Sequence, residues 1–242
     1  MLQRVEAITA YADTWGALDL APLRVTLHLA NPRAGYDALH LDGMLSYGLV
    51  VRAMGRAALP DSVVPYDLPL PLRCLWRDGQ GLPLWAVTDM SPQGSTAVAS
   101  ATWMRRPISP ASVALPDGRP YTFREMQGPY KAMQIPLPIE AAQRWECDVV
   151  GDAHHMADLL AVLQSVGKKA AQGWGRIVEW HLDPIPAWQI SAEGLLRRTV
   201  PIEALGADPL RGQLLGWSPP YWRNQTLCLA AGEATRVPKG WG

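Results

Sequence analysis

The hydrophobic pattern changes period most sharply between residues 152 and 182. Met156, Leu159, Leu160 and Leu163 recur at the spacing of one helical face. Asp152 precedes them, with a carboxylate suited to the first free N–H groups of a helix. Gly167 follows in the manner of a C′ glycine, so the pattern predicts a helix over 152–166. A loop then runs from Lys168 to Gly175. The run Arg176 to Leu182 is rich in β-formers and predicts a strand that Asp183-Pro184 ends. Upstream, Arg24 to Leu29 alternates polar and apolar with period two, as a half-buried strand does. Asn31-Pro32-Arg33-Ala34-Gly35 breaks that strand. Asp42 then opens a predicted helix that runs to about Met54, with Met44, Leu45, Leu49 and Val50 on its core side. Gly43 and Gly48 each cost such a helix roughly 1 kcal/mol, which predicts that something packs close against it. Leu2, Val5, Ile8 and Ala12 keep helical spacing and predict a short N-terminal helix or ordered arm.

Between Ala57 and Gly128 the pattern breaks up. Prolines and glycines are dense, and only short runs, Leu84 to Thr88 and Ala97 to Met104, read as strands. This predicts an insertion of hairpins and loops that is basic at its end, through Arg105, Arg106, Arg119, Arg124 and Lys131. Tyr130 to Leu137 and Arg144 to Val150 predict two more strands. Leu195 to Pro201 predicts an edge strand, because Pro201 cannot donate to a ladder. Residues 202–242 form a C-terminal extension rich in proline and tryptophan, suited to wrap the core or meet a neighbour.

Composition adds limits. A chain of 242 residues, 48% hydrophobic and 18% charged, suits one domain with sizeable insertions. No apolar run reaches the roughly 18 residues of a membrane span, and the N-terminus shows no basic-then-apolar signal. Cys74, Cys147 and Cys228 stand apart, so neither a zinc motif nor a disulfide framework is indicated, and a reducing cytoplasm is the simple expectation. Net charge is zero, with 22 basic and 22 acidic residues, which argues against a free-standing, non-specific nucleic-acid binder. Charge is nevertheless separated along the chain. Glu140, Glu146, Asp148, Asp152 and Asp158 precede a stretch holding Lys168, Lys169 and Arg176, so a basic stripe on a neutral protein is permitted. Eleven tryptophans against one phenylalanine leave two readings open, core packing or platforms for stacked bases.

The loop at 168–175 carries the most suggestive chemistry. Two lysines sit side by side, and Gly173-Trp174-Gly175 closes the segment. Glycines let backbone approach a ligand, and the lysines select an anionic one. The alternative is a solvated surface turn, with cations favoured near a helix C-terminus. A P-loop is excluded, because Lys169 stands where that motif needs a hydroxyl. His154-His155 lacks zinc-protease spacing, and adjacent helix residues face different ways, so no metal or cofactor is expected. His28 and His40 are open to a structural, a nucleic-acid-contacting or a general acid–base role. Of Arg105-Arg106 and Arg197-Arg198, a strand presents at most one of each pair to a given groove.

The strings LDGMLSYGLV, GKKAAQGWGRIVEW and LLRRTVP, in that order over positions 41–201, resemble the RAMP superfamily of RNA-binding CRISPR–Cas subunits. The similarity is greatest to its Cas-five-like subunit of type IV effector complexes. The resemblance implies an α+β fold with a ferredoxin-like core akin to the RNA-recognition motif, a thumb-like β-hairpin insertion at 57–128 and a C-terminal extension at 202–242. In that family the insertion wedges against the guide strand, and Met90, Trp103 and Met104 are candidates for its apolar tip. The implied function is a non-catalytic RNA-binding subunit. It would hold the 5′ tag of a CRISPR guide RNA, cap the backbone filament, meet the backbone and large subunits, and lie near the target DNA beside the flanking motif. The alternative is a metal-independent endoribonuclease that trims precursor RNA. Candidate RNA-binding residues are Lys168, Lys169, Gln172, Gly173, Trp174, Gly175, Arg176, Arg33, His40, Lys131, Arg105 and Arg198.

Overall fold

The computed structural model describes residues 4–35, 37–56, 66–105, 133–221 and 225–241. In chain order the elements are α1 (Glu6–Asp13), β1 (Ala21–Leu29), β2 (Arg33–Ala34), α2 (Leu41–Met54), β3 (Cys74–Arg77), β4 (Pro83–Trp85) and β5 (Ser91–Gln93). There follow β6 (Ala97–Arg105), β7 (Met133–Ala141), β8 (Arg144–Gly151), α3 (Ala153–Leu160) and β9 (Ile177–Pro184). The C-terminal part holds β10 (Ser191–Ala192), β11 (Leu195–Leu196), β12 (Val200–Pro201), α4 (Ile202–Leu205), β13 (Gln213–Gly216) and β14 (Gln225–Leu229). The molecule is thus α+β, with antiparallel sheets. Among the described residues no helix is long and apolar enough to cross a membrane.

The central sheet has the order β5-β8-β1-β9, all antiparallel. Its strands are reached along the path β1, α2, β5, β8, α3, β9. Alternation sets its two faces. Leu23, Val25, Leu27 and Leu29 of β1 and Trp145, Cys147 and Val149 of β8 point to one face, where they bury with Leu41, Leu45 and Leu49 of α2 and Met156, Leu159 and Leu160 of α3. Arg24 pairs with Asp148 across the polar face at 2.9 Å, and Arg197 reaches the same carboxylate at 2.7 Å.

Gly48 explains why α2 carries a residue that weakens it. A Cβ at Gly48 would lie 2.4 Å from the carbonyl oxygen of Leu159, so α2 and α3 meet backbone to backbone at this point. At Gly43 the nearest atom is a Tyr221 ring carbon at 3.5 Å, an ordinary contact.

Several expectations need correction. The helix predicted over 152–166 ends at Leu160. Residues 164–166 leave it to pair with the start of β9: Val166 N–H donates to Gly175, Ile177 N–H donates to Gln164, and Ser165 bridges Arg176. Those bonds replace the helical ones, so Gly167 is a turn residue and the basic loop does not sit on a helix C-terminus. Asp42 is not the N-cap of α2; it lies in the first turn, fully buried. The single strand expected over 195–201 is two short pieces, β11 and β12, although Pro201 does lie at a sheet edge as expected, in the order β12-β14-β13.

The described part of 57–128 contributes to the interior. Leu70, Leu72, Trp85, Val87 and Met90 belong to the central core, and β5 extends the central sheet. Met90, a candidate for an apolar tip, is therefore buried, whereas Met104 of β6 is 64% exposed. β6 and β7 form a nine-residue ladder. Arg106, Arg119, Arg124 and Lys131 lie outside the described residues, as do Leu2 and Trp222. A second core joins Leu82, Leu84 and Ala86 to Trp188, Val200, Trp217, Leu229 and Trp241. Five tryptophans, Trp85, Trp145, Trp188, Trp217 and Trp241, are buried, so for these the packing reading holds.

Gly48→Ala is expected to destabilise the fold by about 1–3 kcal/mol, the usual cost of forcing atoms into a packed contact. Gly43→Ala is expected to be neutral or to stabilise by up to about 1 kcal/mol through helix propensity. Urea denaturation of the two variants checks the ordering; equal effects would contradict the close helix contact.

Candidate nucleic-acid interface

The loop from Gly167 to Arg176 is held by the segment that follows β1. The Asn31 amide makes a two-sided clamp: its Nδ2 donates to the Gly173 carbonyl at 2.5 Å, and its Oδ1 accepts from the Arg176 N–H at 2.8 Å. Backbone bonds continue the seam. Gly175 N–H donates to Pro32, Lys168 N–H to Ala34, and Ala30 N–H to Arg176. Between these anchors Lys169 takes a left-handed conformation (φ 60°), and Ala170–Gln172 form one 3₁₀ turn. The loop is fixed at both ends and lifts its middle into solvent.

The glycines divide into two kinds. Gly167 (φ 84°) and Gly175 (φ 63°) pack against the protein's own backbone: a Cβ would lie 2.8 Å from the Ala34 oxygen and 2.0 Å from the Val166 oxygen. Gly173 (φ 89°) has open space where its Cβ would be. Gly175 is thus buried and already in contact with the protein's own backbone, whereas the space beside Gly173 is open.

The three cations of the loop, Lys168, Lys169 and Arg176, are exposed. Lys168 Nζ lies 2.7 Å from Asp37, and both side chains are largely in solvent, so the pair contributes little stability and is readily exchanged. Gln172 is exposed beside them, and Trp174 is half-buried. A groove of about 640 Å³ runs along one side of the loop, past Gln164, Arg176 and Trp180. A second, of about 620 Å³, lies on the other side between α2 and the loop. Leu39, Met44 and Leu163 give it apolar walls, and His40, Tyr47, Arg56 and Tyr221 also line it.

His40 is placed from two directions. Its ring stacks on Tyr221 with centroids 3.9 Å apart and planes 14° apart, and its Nδ1 lies 3.0 Å from Asp89. Tyr221 is fixed by its hydroxyl, which donates to Asp42 at 2.5 Å. Burial, followed by the Asp42 charge, pushes the phenol well above its ordinary range, so it remains a donor. Arg198 lies beneath, with 2% of its surface exposed. Its guanidinium donates to the carbonyls of Trp85, Val87 and Trp217, and it pairs with Asp42 at 3.3 Å.

Two candidate RNA contacts are therefore corrected. Arg198 is a buried structural cation. Arg33 is also buried, paired with Glu140 at 2.5 Å, donating to the Asp37 carbonyl and lying 4.6 Å over the Trp145 ring. Lys131 and the side chain of Arg105 lie outside the described residues. The structure brings Lys168, Lys169, Gln172, Gly173, Trp174 and Arg176 together in the loop and sets His40 across the adjoining groove. Asn31, Tyr47, Arg56 and Tyr221 are additions that sequence patterning missed. Asn31 reads only as a strand breaker, and nothing local links Tyr221 to His40.

Gly175→Ala is expected to lower stability clearly, while Gly173→Ala is expected to change stability by only about 1 kcal/mol through its left-handed backbone. Thermal melts of the two variants check this. Arg198→Met leaves Asp42 buried without its cation, and a loss of about 3–5 kcal/mol in chemical denaturation is expected.

Residues 95–232 match the family described as CRISPR type IV associated protein Csf3. That span is more than half of the chain, includes the loop and excludes α2 and Asn31. No curated protein matches the chain. The chain belongs to the Csf3 family, the Cas-five-like branch of type IV CRISPR components that its sequence resembles.

Proposed function

We propose that this type IV CRISPR-associated chain is a non-catalytic subunit that holds the 5′ tag of a guide RNA, caps the backbone filament and lies near the duplex flanking the DNA target. The strand order β5-β8-β1-β9 with α2 and α3 as crossovers supports a ferredoxin-like core of the RAMP type. The observation that carries the reading is the loop itself. Three exposed cations stand on a backbone clamped by Asn31, with a groove on either side.

The chemistry divides by residue type. Lys168, Lys169 and Arg176 meet phosphates, which supply affinity without sequence information. Gly173 lets a sugar–phosphate strand approach the backbone. The groove beside α2 suits an unstacked base, with apolar walls, the His40–Tyr221 stack at its edge and Tyr47 and Arg56 nearby. Arg33 and Arg198 contribute by holding the frame rather than by touching RNA.

The endoribonuclease reading keeps one supporting observation. His40 with Asp89 is a histidine oriented by a carboxylate, the arrangement of a general base. Incubating the protein with labelled repeat RNA and chelator separates the two. Uncleaved but bound RNA is the expected result, and product that disappears in His40→Ala would replace the binding role by catalysis.

Replacing Lys168 and Lys169 together by alanine is expected to flatten the salt dependence of tagged-RNA binding by up to about 1.4 in slope, equally for unrelated sequences. Asp37→Asn is expected to act in the opposite direction, tightening binding severalfold, because it releases Lys168 to a phosphate. Unchanged affinity and slope in both variants, with normal melting, would reduce the loop to a surface turn.

A further inference from the structure

We propose that His28, Glu179 and His181 form a binding site for one divalent ion of the zinc class, on the polar face of the central sheet. The three residues come from neighbouring strands. In the β1–β9 ladder His28 stands opposite Glu179, and His181 stands opposite Thr26. Glu179 and His181 are two apart on β9, so the pleat sends both side chains to the face that His28 shares. A register shift between His28 and Leu29 ends the regular pairing just beyond the cluster. Such irregularities re-aim side chains, and here the shift adjoins the cluster.

The donor atoms already lie close. One atom from each residue falls within 4.8 Å of the other two. His181 Nε2 is 3.1 Å from Glu179 Oε1, and the two imidazole rings meet edge to face at 5.4 Å between centroids. Small side-chain rotations bring three donors onto one ion, while the ladder fixes the backbone. Two imidazole nitrogens and one carboxylate oxygen select zinc or its late first-row neighbours over magnesium and calcium, which prefer all-oxygen sites. His28 is half-buried and anchors the set; the other two are exposed and leave a coordination position for water. Arg144, the neighbour of His28 on β8, has its guanidinium near Glu146 at 3.4 Å. The ion would clip the strand leaving the basic loop to the centre of the sheet, independently of the groove beside α2.

The test uses the full chain stripped with chelator and then titrated with zinc alone, followed by calorimetry and by thermal melting. Saturable binding of one ion and a raised melting temperature are expected, with no response to magnesium. His181→Ala and Glu179→Gln are each expected to weaken zinc by about tenfold or more, the scale on which metal sites respond to lost support. The exposure of both residues makes their own melting without zinc an independent check on folding. The double variant His154→Ala, His155→Ala removes the other adjacent imidazoles and is expected to bind as the parent does. Absence of saturable binding, an affinity unchanged in both the His181 and Glu179 variants, or loss in the His154/His155 variant would overturn the site.

Discussion

The buried Arg198–Asp42 pair is the interaction on which the surrounding structure depends. One guanidinium ties the first turn of α2 to the 85–87 segment and to the chain near Trp217. Asp42 also accepts the Tyr221 hydroxyl, so the pair fixes the aromatic ring that carries His40. A buried pair contributes little net stability compared with apolar packing, but removing one partner is costly. Its value lies in specifying position. It adds a buried polar tie to the His40–Tyr221 stack and the Tyr221–Gly43 contact, which also set the C-terminal segment against the N-terminus of α2.

Asn31 performs the corresponding task for the loop. A single amide, donor and acceptor together, closes the backbone at Gly173 and at Arg176. The cations are thereby presented on a preformed ridge, which lowers the ordering cost of meeting a ligand. The close contacts at Gly167 and Gly175 serve that rigidity, whereas Gly173 has open space beside it.

Zero net charge is compatible with an anionic ligand where charge is separated in space, because several acids and arginines neutralise each other away from the loop. Asp148 holds Arg24 and Arg197, Asp152 caps α3, Glu140 holds Arg33 and Asp42 holds Arg198. Burial works against the Asp148 charge, yet its two arginines hold the carboxyl below its usual range. The loop cations Lys168, Lys169 and Arg176 are exposed. Lys168 pairs with Asp37 where both side chains are largely in solvent, a contact that a competing anion can displace.

Local pattern located two helices, which span 41–54 and 153–160, and four strands, which span 21–29, 97–105, 144–151 and 177–184: period marked the helices and β1, while β-former content between breakers marked β6 and β9. Where one repeating face is buried, as in β1, α2 and α3, that property is local in sequence. The resemblance of the loop strings also named the family. Tertiary structure decided everything that needs partners far apart in the chain. Residues 164–166 left the helix because 175–177 offered them strand-like bonds. Arg33 and Arg198 read as surface cations until Glu140 and Asp42, more than a hundred residues away, took them inside. Gly175 reads like Gly173 until Val166 fills the space beside it. A sequence shows which groups exist and how they alternate. Only the fold shows which of them are already engaged, because long-range pairing follows from packing and leaves no local period.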